Sequence, residues 1–458
     1  MQEAYKIGLK RDLGLWSAIA IVVGTVIGSG IFLVPKAMVL RVGSPDLVFA
    51  VWVFGGLLTL FGALTYAELA AALPEAGGEY VYLREAYGPF FGFLYAWTQT
   101  WVAKSASIAT LATAFFYYFA NFRPELDQVF LVLPLAIGPG GSLFEVRYGQ
   151  LFAMAVILLL GGINYLGVKF GGRIQVAITV VKVALILAII AAGLGSGQGS
   201  VENYGTSVPA AAGFAGFFAA LVAALWAYDG WNNVNMVAAE VKNPQKNLPV
   251  ALIGGTLLII AIYLLTNLAY FYVLSSAEVA ASDRVAADMM LKALGPFGAD
   301  AVSMAAMISI FAALNGSILS GSRVPFAAAR GGYFFRPFAR VNARFHTPGF
   351  SILLLSAWSA VLVLSGRFEQ LFTLVIFPSW ILYAMATAAV LVLRRKRPDL
   401  PRPYKTLGYP FVPLAFVLVA IVLVISTLLE SPRESLIGLA IITAGLPFYF
   451  YWKRRLLL

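Results

Sequence analysis

The sequence predicts an all-α membrane protein of about twelve spanning helices. Long apolar runs recur from end to end, charged residues are scarce, and the basic residues fall on alternate connections. Only 12% of the 458 residues are charged and 61% are hydrophobic, whereas a soluble chain solvates its surface with about 25% charged residues. The surface therefore faces lipid. A run of about 20 apolar residues crosses a hydrocarbon core about 30 Å thick. No hydrophilic stretch is long enough for a separate soluble domain, so residues 1–458 are read as one integral membrane domain.

In chain order the expected spans are 13–41, 45–73, 88–121, 151–168, 174–194, 213–241, 249–274, 298–330, 348–365, 370–393, 411–429 and 435–452. The first follows Lys6, Lys10 and Arg11, as in a signal peptide, but no small-residue cleavage site precedes the next run, so it is read as retained. With the N-terminus in the cytoplasm, about twenty-one Lys and Arg residues fall on inner segments and about eight on outer ones. The inner set includes the run Arg394-Arg395-Lys396-Arg397 and the terminal Lys453, Arg454 and Arg455. One miscounted span would invert every later loop and spoil this asymmetry. Both termini are therefore expected in the cytoplasm, with the chain multi-pass in the plasma membrane.

The net charge of +11 then requires no nucleic acid, because inner-leaflet anionic headgroups face the clustered Lys and Arg. Aromatic residues at span ends, Tyr117-Tyr118 and Phe448 through Trp452, read as interfacial belts. The outer connections 123–150 and 275–300 are assigned no chemical role; the acidic second one is expected to be solvated, with short helices at most. Cysteine is absent and His346 is the one histidine, which excludes disulfides, thiolate or paired-imidazole metal sites and a cysteine nucleophile. No serine–histidine pair or metal cluster falls within the spans, so neither an enzyme nor a cofactor is expected.

Two spans carry interruptions. Gly24-Thr25-Val26-Ile27-Gly28-Ser29-Gly30-Ile31-Phe32 sets glycines into an apolar helix, where each costs about 1 kcal/mol relative to alanine. Unwinding near Gly28–Gly30 would leave a half-helix N-terminus whose amides and dipole suit a carboxylate. A small-residue packing face is the alternative. Trp226-Ala227-Tyr228-Asp229-Gly230-Trp231-Asn232-Asn233 interrupts the sixth span, and such polar groups mid-membrane are costly unless they line a cavity or satisfy one another. Carbonyls freed there, or Asp229 itself, suit an ammonium. The interruptions lie about 200 residues apart, each in the first span of a five-span block, approximately 13–194 and 213–393, with two further helices at 411–452. An odd number of spans per block inverts the second copy and puts a midplane site between the broken helices.

These segments resemble the L-type amino acid transporters of the amino acid–polyamine–organocation superfamily. The stretch from Gly24 to Phe32 is similar to their first-helix motif, and Tyr66-Ala67-Glu68-Leu69 with Pro74-Glu75-Ala76-Gly77-Gly78-Glu79-Tyr80 to their second-helix end and first inner loop. Ala227 through Gly230-Trp231-Asn232 to Glu240, then Asn243-Pro244 and Asn247-Leu248-Pro249, resembles the sixth helix and its following loop. Arg394 to Pro398 with Pro401 to Lys405 resembles the tenth-to-eleventh connection. The resemblance implies the leucine-transporter fold, a five-plus-five inverted repeat with discontinuous helices 1 and 6. It implies a substrate site around Val26, Gly28, Ser29, Gly30, Trp226, Ala227 and Asp229. The amides of Ser29 and Gly30 would take the carboxylate. The carbonyls of Val26 and Trp226, with backbone near Ala227 and Asp229, would take the ammonium, under Trp226 as an aromatic gate. For Asp229 two roles stay open, contact with the amine or capping of the break, since relatives often have glycine or serine there. Glu75, Glu79 and Tyr80 are expected to stabilise the cytoplasmic gate.

Lys182 sits mid-span in helix five, where a lysine is a functional candidate unless it snorkels. The resemblance puts its ammonium where sodium-coupled relatives bind sodium, and so implies gating or coupling. Lys104 in helix three, and Asn232, are structural or pocket residues; Arg323 and Glu68 brace the scaffold. The expected function is sodium-independent transport or exchange of neutral L-amino acids. Proton-coupled symport through Lys182 or Asp229, and cationic amino acid or polyamine transport, are the alternatives. Animal members tether a glycoprotein through a cysteine after helix three; residues 121–150 hold none, so no disulfide-linked heavy chain is expected.

Overall fold

The computed structural model describes residues 8–134, 144–210, 213–365, 368–430 and 432–457. Helix α1 (Leu15–Val26) ends within the first glycine cluster, and α2 (Gly30–Val42) resumes bent by 40°. Helix α3 (Pro45–Ala72) opens on a proline, whose fixed φ suits a first turn. The short α4 (Glu79–Tyr87) follows Gly77 and Gly78, both at positive φ, which turn the chain sharply back. The third span is α5 (Pro89–Thr98), a π-helical turn at Gln99–Ala103, and α6 (Lys104–Phe119). Helices α7 (Tyr148–Tyr165) and α8 (Val168–Gly195) complete the first five spans.

The sixth span is α9 (Phe214–Ala227) followed by irregular turns and the single-turn α10 (Asn233–Met236). Then come α11 (Pro244–Val273), the short helices α12 (Ser276–Ala281) and α13 (Val285–Leu294), and α14 (Pro296–Gly321), which continues as α15 (Arg323–Arg330). Helices α16 (Gly349–Ser365), α17 (Phe368–Lys396), α18 (Phe411–Glu430), α19 (Pro432–Thr443) and α20 (Leu446–Leu457) complete the chain. Among the described residues, 8 helices are long and apolar enough to span alone, or 9 with the bent pair α1–α2 counted as one. The shorter apolar α9 and α16, with the interrupted third span, account for the remaining expected crossings.

Helix α14 is central, with 83% of its apolar window buried, against 28% for α18 at the edge. Helices α1, α6 and α8 pack on α14, α11 packs on α3, and α2 and α3 pack on α9. Two features depart from the sequence reading. Val129–Leu133 (β1) pairs antiparallel with Phe144–Arg147 (β2), because a short exposed run of β-branched and large apolar residues pairs with its neighbour more readily than it coils. Tyr118 is 1% exposed and packs on Phe32 at 6.4 Å, so only Tyr117 of that pair has an exposed ring.

Two ion pairs brace the face that carries the basic loops, the first fully buried and the second with its Arg394 partly exposed. Arg323 donates to both carboxylate oxygens of Glu240, at 2.7 and 3.0 Å. Glu68 accepts from Arg394 at 2.9 and 2.7 Å and from the Thr406 amide at 2.7 Å, with Arg402 3.3 Å away. Removing one member of such a pair strands a buried charge, at a cost of about 3–5 kcal/mol. Glu240→Ala is accordingly expected to lower the melting temperature of the detergent-solubilised protein; an unchanged melting curve would show that the pair contributes nothing.

Candidate functional site

The site forms where the two interrupted spans meet. Helix α1 closes with the Ile27 amide on the Val23 carbonyl at 3.1 Å. The first bonds of α2 run from the Phe32 and Leu33 amides to the Ser29 carbonyl, both at 3.2 Å. The amides of Ser29 and Gly30 therefore precede the first intrahelical bonds, at the positive end of a half-helix. The Ser29 hydroxyl is buried and has no hydrogen-bond partner among the described residues. A buried hydroxyl of that kind marks a place where a polar ligand group fits. At the second interruption the Asp229 amide donates to Trp226 and the Asn233 amide to Gly230, at 3.0 and 3.1 Å, across a turn in which Gly230 has φ of 101°.

Direct contacts join the two breaks. A Cβ on Gly30 would lie 2.7 Å from the Cα of Ala227, so the chains touch backbone to backbone there. The Thr25 hydroxyl donates to the Gly230 carbonyl at 2.9 Å and lies 2.6 Å from the Ile21 carbonyl. From α11, the Tyr263 hydroxyl reaches the carbonyls of Val26 at 3.0 Å and Ala227 at 2.8 Å, its one hydrogen divided between them. Loss of this hydroxyl removes about 1 kcal/mol or more of bonding that joins the breaks. Tyr263→Phe is expected to slow transport several-fold in proteoliposomes while the protein stays monodisperse; wild-type kinetics would show that the clamp is dispensable.

The cavity between the breaks is lined by Thr25, Val26, Gly28, Ser29, Gly30, Ser107, Leu111, Trp226, Ala227, Asp229, Gly230, Asn233 and Ser317. All seven residues expected at the substrate site border it. Thr25, Ser107, Leu111, Gly230, Asn233 and Ser317 are additions. Its volume is about 30 Å³, the space of a couple of waters.

Lys182 lies behind the cavity wall. Its ammonium donates to the carbonyls of Gly24 at 2.7 Å and Ile27 at 2.5 Å, tying α8 to the end of α1. Ser309 of α14 donates to the same Ile27 carbonyl at 2.9 Å. The lysine is fully buried and turned inward, which rules out the snorkelling alternative. Lys104 begins α6 just after the π-helical turn, which re-aims the side chains that follow it. Its ammonium donates to the Asn233 side chain at 2.7 Å, and it lies within electrostatic range of Asp229 and Glu79. Asp229 accepts from Tyr383 at 2.8 Å and from the Gly230 amide. Asn232 points away from the cavity, to Glu79 of α4, which also accepts from Tyr95 at 2.9 Å. Glu75 pairs with Arg84 at 3.1 Å, and the Arg84 guanidinium lies over the Tyr80 ring at 5.5 Å. These contacts fasten α4 to the second break and to the third span.

Tyr263 and Tyr383 were absent from the sequence reading. Each is a tyrosine in a buried stretch of an otherwise apolar helix, and its phenol needs a partner there; that is the signal by which both could have been found. The polar ladder from Asn164 to Asn315 to Gln175 to the Ala20 carbonyl, at 2.9, 2.8 and 3.3 Å, was likewise unread.

Comparison with known proteins agrees with this architecture. Residues 13–446 match the Amino acid permease family. The chain is 34% identical over 454 residues to the Serine/threonine exchanger SteT of Bacillus subtilis (strain 168), covering 98% of both proteins. It is 32% identical over 453 residues to the b(0,+)-type amino acid transporter 1 of Mus musculus, covering 97% of this chain and 89% of that one. To the human (Homo sapiens) Cystine/glutamate transporter it is 30% identical over 459 residues, covering 98% and 87%. On this footing the chain belongs to the amino acid permease family, in the L-type part of the amino acid–polyamine–organocation superfamily, and is an amino acid transporter rather than an enzyme.

Proposed function

We propose that the protein exchanges small neutral L-amino acids across the plasma membrane without sodium, by alternating access, with both termini in the cytoplasm. The observation that carries the substrate class is the lining of the cavity. Asp229 is the one acidic residue among those that border it, and the Lys104 ammonium stands within electrostatic range of that carboxylate. A cationic side chain gains little from an acid already compensated in this way. The remaining wall offers hydroxyls and an amide, from Ser29, Ser107, Ser317 and Asn233. Such a wall fits serine, threonine or alanine. The bacterial relative, a serine/threonine exchanger by name, points the same way.

In this reading the Ser29 and Gly30 amides hold the substrate carboxylate. Carbonyls of Val26, Trp226 and Ala227 face the ammonium, and Trp226 closes over the side chain. The two breaks, each opening a five-span block, support an inverted repeat with the site at its pseudo-axis. Independence from sodium rests on Lys182, whose ammonium already sits on the carbonyls that would otherwise ligate a cation. The orientation rests on the basic loops.

Labelled L-serine uptake into proteoliposomes, preloaded with L-serine or left without it, tests the proposal. Uptake is expected only with preload, to be equal in sodium and choline buffers, and to compete with L-threonine and L-alanine but not L-arginine. Sodium dependence, or strong competition by arginine, would overturn it. Asp229 is assigned to capping of the break, because Tyr383 and the Gly230 amide already use it. Asp229→Asn, which keeps an acceptor for Tyr383, is expected to retain exchange within about threefold. Collapse of the rate would instead make the charge a ligand of the substrate amine.

A further inference from the structure

A second cavity, of about 700 Å³, opens on the face that carries the basic loops, between the chain that follows α15 and the last turns of α20. Its composition divides into two parts. Phe335, Phe448, Tyr451 and Trp452 give it an apolar wall, with Phe335 and Trp452 packed edge to face at 4.9 Å and Phe448 and Trp452 tilted at 6.0 Å. Phe448 is 40% exposed and Tyr451 57%. The other part is basic: Arg330, Arg336 and Arg455 all line the cavity, and no acidic side chain is among its lining residues. Arg330 is anchored by its Nε to the Ala339 carbonyl at 3.1 Å, and Arg455 lies 3.4 Å from the Tyr451 hydroxyl.

Interfacial belting explains single aromatic residues at a span end, but not a walled cavity of this size with guanidinium groups at its rim. Guanidinium groups bind phosphate oxygens in paired hydrogen bonds, and the rings beside them accept acyl chains. The cavity lies where an apolar span, Ser435–Arg455, runs into its terminal basic residues, the composition expected of a span end at the headgroups. We propose that it binds an anionic glycerophospholipid, with the phosphate on Arg336 and Arg455 and an acyl chain along Phe448 and Tyr451. This site is remote from the breaks and independent of the substrate assignment.

Native mass spectrometry of the delipidated full chain, titrated with phosphatidylglycerol and with phosphatidylcholine of identical acyl chains, tests it. Phosphatidylglycerol is expected to bind at about tenfold lower concentration. Arg336→Ala/Arg455→Ala should abolish that preference and Arg336→Lys/Arg455→Lys should keep part of it, with both variants judged folded by unchanged exchange. Millimolar inorganic phosphate should not displace the lipid. Equal binding of the two lipids, an unchanged preference in the double alanine variant, or displacement by phosphate alone would each overturn the proposal.

Discussion

Gly30→Ala is expected to abolish amino acid exchange, whereas Gly28→Ala, two residues earlier, should leave exchange within about tenfold of wild type. A methyl group on Gly30 would lie 2.7 Å from both the Cα and Cβ of Ala227, and backbone cannot rotate out of the way as a side chain can. Overpacking of this kind costs about 1–3 kcal/mol even where neighbours adjust. Here the adjustment is itself the damage. Pushing Gly30 from Ala227 separates the amides assigned to the carboxylate from the carbonyls assigned to the ammonium, and displacements of about 1 Å are enough to cost a hundredfold in positioning. A methyl on Gly28 meets Ala313 and Leu111 at 3.4 Å, an ordinary contact. Initial exchange rates at equal reconstituted protein check both variants. Equal loss at the two positions would mean that glycine content alone matters and the close approach does not.

Lys182→Ala should have the next largest effect, a fall in exchange of more than about tenfold. Hydrogen bonds to a charged group are worth about 1.5–3 kcal/mol each, and this ammonium makes them to Gly24 and Ile27 at the end of α1. With the amine gone, the Ile27 carbonyl keeps Ser309, while the Gly24 carbonyl loses its charged donor. Helix α1 then loses its tie to α8, and its end can no longer be held in one position as the site opens to either side. Lys182→Met, which fills the same space without the charge, should fail similarly. Size-exclusion profiles and melting curves separate this from misfolding. Normal rates in both variants would remove Lys182 from the mechanism.

The spans were legible because length and apolarity act locally: a run of about 20 residues can be counted without knowing its neighbours. The breaks were legible for the same reason, since Gly28 to Gly30 and Asp229-Gly230 oppose helix formation wherever they occur. Resemblance then supplied roles for Val26, Ser29, Gly30 and Trp226. What stayed hidden depends on which helix faces which. Thr25 meets Gly230 across 205 positions and Tyr263 meets Val26 across 237, and no periodicity within one span announces such a partner. Ser107 and Ser317 read as ordinary small residues until α6 and α14 bring them to one cavity. The π-helical turn before Lys104 carries no distinctive residue, though it decides where that ammonium points. For Asn232 the sequence leaves a structural and a pocket role open; its side chain bonds Glu79, and a neighbour in the same turn, Asn233, borders the cavity.

Whether main-chain groups of the two breaks grip the two ends of one amino acid is tested most directly by competition with substrate analogues. Labelled L-serine exchange would be measured against ethanolamine, which lacks the carboxylate, and L-glycerate, which keeps the configuration and lacks the ammonium, each at about a hundredfold excess. Unlabelled L-serine should abolish the signal, and neither analogue should reduce it appreciably. Full inhibition by either one would mean that a single end suffices for binding, and a site built from both breaks would be contradicted.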